Sequence, residues 1–152
     1  MPTRSMIRHA LFGFLINFDW FLEILAIWCV RQISRINDNT RQTKKNILVF
    51  MHNRFIGDLE VFESANTTSM IKMEYLILGG LYTHFYGSED IWDNWLEPKI
   101  QASQITYRSF LRKFIPRLYR RLDVKLVISS GYRYTALIDW GAVSNELGFP
   151  YI

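Results

Sequence analysis

Apolar and polar positions divide the chain into segments of different character. From Ala10 to Val30, in "HALFGFLINFDWFLEILAIWCVRQISR", the sequence is almost continuously apolar, with Arg4 and Arg8 before it and Arg31 and Arg35 after it. A run of that length can span a bilayer. Asp19 and Glu23 oppose this, since a carboxylate near the bilayer centre costs about 2.5–3.5 kcal/mol on the insertion scale. The two acids lie four positions apart and so share one helix face. The segment therefore predicts a helix that lies on a membrane or protein surface, with a spanning anchor and a buried helix as alternatives. It lacks the small-residue cleavage site of a signal peptide.

The stretch "RINDNTRQTKK" has no apolar periodicity and reads as a linker. Beyond it, short apolar runs alternate with helical patterns. Ile47–Met51 predicts a buried strand, and "GDLEVFESAN" a short helix capped by Asp58. "MIKMEYLILGG" predicts a second strand, and "SEDIWDNWLEPK" a helical start from Ser88 that Pro98 interrupts. From Gln101 to Leu122 the positions Tyr107, Leu111, Phe114, Leu118 and Leu122 form one stripe of a long helix, with Pro116 expected to kink or split it. "VKLVISSG" predicts another buried strand, "TALIDWGAVSNELG" a helix that ends at Gly148, and "FPYI" the start of a further strand.

This succession predicts an α/β fold: a Rossmann-like open parallel sheet with helices on both faces, preceded by the apolar helix, and incomplete at its carboxyl end. The expected organisation is an amino-terminal helix over residues 1–36, a linker over 37–45 and the α/β domain over 46–152. The chain of 152 residues is 49% hydrophobic, enough for one cored domain and too apolar for disorder. Its net charge of +4 suits lipid headgroups, phosphorylated ligands or nucleic acid equally. The single cysteine, Cys29, excludes an internal disulfide and a cysteine-based zinc site.

In open parallel sheets ligands bind beyond the carboxyl ends of the strands. Two segments fall there, "HNRFIGD" after the first strand and "SSGYRY" after the later one. Asn53, Arg54 and Gly57 of the first, with Ser129, Ser130, Gly131, Tyr132 and Arg133 of the second, are the candidate ligand-binding residues. Arg54 and Arg133 suit an anionic group, and the glycines permit close backbone approach. His52 is the one histidine at a strand end and the candidate base. An ordinary turn and a solvated arginine are the competing explanation for both segments. His9 and His84 have no metal-ligand spacing, and the zinc, P-loop and dinucleotide patterns are absent, so neither metal nor cofactor is expected. Asp139 falls inside a predicted helix.

Arg108, Arg112, Lys113, Arg117, Arg120 and Arg121 form the densest basic run. The aromatics among them belong to the apolar stripe, which argues against base stacking and so against nucleic acid. A solvated face or contact with anionic lipid remains.

The run "LDVKLVISSGYRYTALIDWGAVSNELGFPYI", with "KKNILVFMHNRFIGDLE", resembles the amino-terminal domain of GT-B-type glycosyltransferases and related bacterial surface-carbohydrate enzymes. The resemblance extends over Lys44–Ile152. It implies the acceptor-side half of an enzyme that transfers a sugar from a nucleotide-sugar donor to a surface-polysaccharide or lipid-linked acceptor. Such a half would need a second domain or a partner subunit for donor binding, with His52 as base and Arg54 and Arg133 facing phosphates. It also implies action at the cytoplasmic face of a membrane. A nucleotide-sugar epimerase fits the same pattern, and a non-catalytic membrane-associated module with a flavodoxin-like core is the rival from another class.

Overall fold

The computed structural model describes residues 4–37, 45–51, 69–74, 81, 84–86, 98–129 and 135–152. Four helices carry most of these residues: α1 (Arg4–Leu15), α2 (Asp19–Asn37), α3 (Pro98–Leu122) and α4 (Thr135–Glu146). Three short strands accompany them, β1 (Lys45–Met51), β2 (Ser69–Glu74) and β3 (Leu126–Ser129).

The apolar amino-terminal segment folds as two helices. The chain turns at residues 16–18, where the Asn17 side-chain amide donates to the carbonyls of Gly13, at 3.0 Å, and Phe14, at 3.2 Å. These bonds satisfy carbonyls that α1 leaves open at its end, and Asp19 then opens α2 with a negative charge at its positive pole. Among the described residues, no helix is long and apolar enough to cross a membrane.

Helix α2 buries Leu22, Ala26, Cys29 and Ile33, a stripe at intervals of four, three and four. That stripe packs on α3, which in turn packs on α4. Tyr107, Leu111, Phe114 and Leu118 of the expected α3 stripe are buried, joined by Phe110, Ile115 and Tyr119. The helix begins at Pro98, a residue suited to a first turn because it has no N–H to leave unpaired, and it runs unbroken through Pro116. Trp140 of α4 is fully buried and donates its indole N–H to the Tyr119 hydroxyl at 2.6 Å, which lies 2.9 Å from the Ser144 hydroxyl.

The carboxyl ends of α3 and α4 are closed by left-handed residues. Gly148, with φ of 81°, follows α4, and the Phe149 N–H reaches the Ser144 carbonyl while the Gly148 N–H reaches that of Asn145. This is the Schellman arrangement, and it places the helix end where the sequence pattern puts it. Asp123, with φ of 51°, performs the same turn after α3, and the Val124 N–H bonds to the Tyr119 carbonyl. Gly148→Ala is expected to cost about 1 kcal/mol, since a Cβ is strained at positive φ although nothing crowds it there. Thermal denaturation of the variant measures this.

The strands lie parallel in the order β2-β1-β3, with Leu48 opposite Ile71 on one side and Val127 on the other. Tyr151 adds a single parallel bridge to Val127, made by the Val127 N–H to the Pro150 carbonyl and the Ile152 N–H to the Val127 carbonyl. The expected Rossmann-like open sheet, layered by helices on both faces, is not the fold: the described chain is mostly helical. Where side-chain burial is described, the core comes overwhelmingly from α2, α3 and α4, joined by Val127 of β3. Each of these helices buries an apolar face on another, α2 on α3 and α3 on α4, and α2 also meets β2. Alternation of short apolar runs with helical patterns records local structure and leaves open which layers meet.

Candidate functional site

Helix α2 is apolar on two opposite sides. Opposite its buried stripe, Trp20, Ile24 and Trp28 recur every four residues and are 56%, 55% and 47% exposed. Helix α1 carries a matching row, Ile7, Leu11 and Phe14, each more than half exposed. Ring contacts make the two rows continuous across the turn, with Phe14 to Phe18 at 5.0 Å and Phe18 to Trp20 at 6.3 Å between centroids. Scattered exposed apolar residues are ordinary on a protein surface, whereas a contiguous row with two indoles marks a contact surface.

The acids that interrupt the apolar segment are held away from that row. Asp19 accepts from the Arg117 guanidinium at 2.7 Å, and Glu23 from Arg121 at 2.6 Å and Arg120 at 3.3 Å. The Arg121 hydrogen bond, together with the positive charge of Arg121, Arg120 and Arg117, holds the Glu23 carboxyl below its ordinary value. The rest of the basic run is similarly engaged, with Arg112 donating to Glu146 through Nε and Nη2 and Arg108 to Asp139 through Nε. Most of the expected basic face is thus a set of clasps from α3 to α2 and α4. Lys113 stands apart: among the described residues it has no carboxylate partner.

A depressed carboxylate pKa contributes stability above the ordinary carboxylate range and loses it as pH falls through the folded value. The α2–α3 and α3–α4 clasps are therefore expected to weaken as pH drops below about 4.5. Thermal midpoints measured across that range should fall, and Glu23→Gln should flatten the dependence.

Asp139 is fully buried on α4. One carboxylate oxygen accepts from Gln104 at 2.8 Å and from Arg108 at 2.7 Å, and the other from the Tyr86 hydroxyl at 2.5 Å. These donors come from α3 and from the helical residues 84–86. A carboxylate so surrounded is a structural tie, since both its oxygens are already committed and it is closed to solvent.

A groove runs between α1 and α3. Its larger part, of about 420 Å³, is lined by Gly13, Ile16, His84, Phe85, Lys99, Ala102, Ser103 and Thr106. A second part, of about 260 Å³, shares Ile16 and Thr106 and continues to Asn17, Ile105, Ser109, Phe110 and Lys113. Among the described residues, no carboxylate lines either part.

The residues that the sequence singled out for ligand binding fall elsewhere. His52, Asn53, Arg54, Gly57, Ser130, Gly131, Tyr132 and Arg133 lie outside the described residues. Ser129 ends β3, in register with Phe50 of β1, so the strands that precede the two candidate segments end side by side. Among the described residues, no group of three or more histidine, cysteine or acidic side chains could hold a metal ion.

Comparison with known protein families, with characterised proteins and with solved structures finds no match. The chain's own surfaces therefore carry the functional reading. Sequence reasoning missed the α2–α3 clasp, although its signal was present: Asp19 and Glu23 four apart, and Arg117, Arg120 and Arg121 at complementary spacing.

Proposed function

We propose that this chain is a membrane-surface interaction module that docks through the exposed row on α1 and α2. The observation that carries this reading is the continuous row Ile7, Leu11, Phe14, Phe18, Trp20, Ile24 and Trp28. Aliphatic side chains with indoles and phenyl rings are the composition of an interfacial anchor, because an indole sits well at the boundary of hydrocarbon and headgroup. Neither helix is long and apolar enough to cross a bilayer, which supports lying on it. The net charge of +4 favours an anionic lipid face over a neutral one. Asp19 and Glu23 are each paired with arginines of α3, which offsets their repulsion of an anionic surface.

Flotation with vesicles of phosphatidylglycerol and phosphatidylcholine tests the reading. The protein should float with the vesicles, more strongly as phosphatidylglycerol rises and less strongly in high salt. Protein that stays with the soluble fraction at every composition, and instead associates with itself as concentration rises, would assign the row to a protein contact.

A second reading, sugar transfer to a lipid-linked acceptor, is compatible with such a surface and draws on the adjacent ends of β1 and β3. His52→Ala and Arg133→Ala test it: with transfer to a lipid-linked acceptor as the assay, unchanged turnover in both would remove these residues from the site.

A further inference from the structure

We propose that the groove between α1 and α3 takes the phosphodiester headgroups of anionic glycerophospholipids, one at Lys99 and one at Lys113. The inference rests on the membrane-surface reading and assigns the lipid class. Three observations converge on it.

The first is height. Gly13, on the flank of α1 away from the exposed Ile7 and Leu11, and Ile16, in the turn that follows, line the groove. A helix is about 10 Å across, and an interfacial helix sinks about 5–10 Å with its apolar face down. The groove side of α1 then stands at the level of the lipid phosphates.

The second is charge. Lys99 and Lys113 are exposed, one at each end of the groove, and among the described residues neither has an acidic partner. Fourteen residues of helix separate them by about 21 Å, so each addresses its own phosphate. The arginines of α3 beyond the groove are already bonded to Asp19 and Glu23. Among the described residues these two lysines are therefore the cations of α3 without a carboxylate, and we assign them to an external anion.

The third is the lining. Ser103 and Ser109 bring hydroxyl donors to the wall, while Ile16, Phe85 and Phe110 form an apolar floor. Hydroxyls with an ammonium suit a phosphodiester, and the apolar floor suits the glycerol backbone and first methylenes. The absence of a side chain at Gly13 and the single methyl of Ala102 keep the larger part open.

The test uses dihexanoyl-phosphatidylglycerol below its micelle concentration, followed by amide shifts of the full chain in solution. Amide signals of Gly13, Ser103 and Lys113 should shift and saturate, and dihexanoyl-phosphatidylcholine at equal concentration should leave them unmoved. The double variant Lys99→Glu with Lys113→Glu should weaken the phosphatidylglycerol response at least tenfold, and its unchanged circular dichroism would show that it folds. Equal responses to both lipids, or an unaffected double variant, would overturn the assignment. Inorganic phosphate that binds as tightly as the short-chain lipid would overturn the lipid source. Vesicle flotation without these shifts would sink the groove alone, and shifts without flotation would sink the docking surface on which the lipid source depends.

Discussion

Replacing Asp139 with alanine is expected to destabilise the fold by about 2–4 kcal/mol, a large part of what a domain of this size has to lose. The change strands three donors at once: the Gln104 amide, the Arg108 guanidinium and the Tyr86 hydroxyl. Arg108 retains 30% side-chain exposure, so water recovers part of its solvation and keeps the cost below that of a sealed charge. Asp139→Asn should fall between, since its carbonyl still accepts while its amide meets donors. Denaturant midpoints measure both. A loss below about 1 kcal/mol for the alanine variant would show that the tie is not structural.

Trp20→Ala combined with Trp28→Ala should weaken vesicle binding roughly fiftyfold and leave stability nearly unchanged. About half of each indole is exposed, which leaves roughly 100 Å² of each to enter the interface. If half of that area is withdrawn from water, each residue contributes about 1.2 kcal/mol, and the pair accounts for the fold-change. Neither side chain belongs to the buried core, so the denaturation midpoint should move by no more than about 0.5 kcal/mol. Cys29, the residue after Trp28 but on the buried side of α2, gives the internal contrast. It is fully buried and its thiol is pushed up to about 12 by that burial, so it should resist alkylation until the chain unfolds.

What the sequence revealed divides along physical lines. The α3 stripe was legible because a buried helix face repeats with the helical period, and Tyr107, Leu111, Phe114 and Leu118 do so. The end of α4 was legible because glycine supplies the positive φ of the Schellman turn at Gly148. The break at residues 16–18 was not, because Asn17 makes it through two side-chain bonds that no apolar pattern records.

The fold class went astray at the next level. Leu48, Val127 and Ile71 do stand in neighbouring parallel strands. Yet the described core is assembled by α2, α3 and α4, and which helices cover one another depends on tertiary packing. Asp19 and Glu23 show the same limit at the site. Their charges argued against a membrane span, while their partners lie nearly a hundred positions away on α3. Local spacing gives one half of such a clasp, and the fold supplies the other.

The central claim is that the row on α1 and α2 enters a membrane interface, and 5-fluorotryptophan NMR tests it most directly. The chain has five tryptophans, whose fluorine resonances can be assigned by single substitution to phenylalanine. In the presence of anionic vesicles carrying a nitroxide-labelled lipid, the Trp20 and Trp28 resonances should broaden strongly, while that of buried Trp140 should keep its width relative to unlabelled vesicles. Trp20 and Trp28 lines unaffected by the nitroxide, or a Trp140 line broadened as much as theirs, would contradict the account.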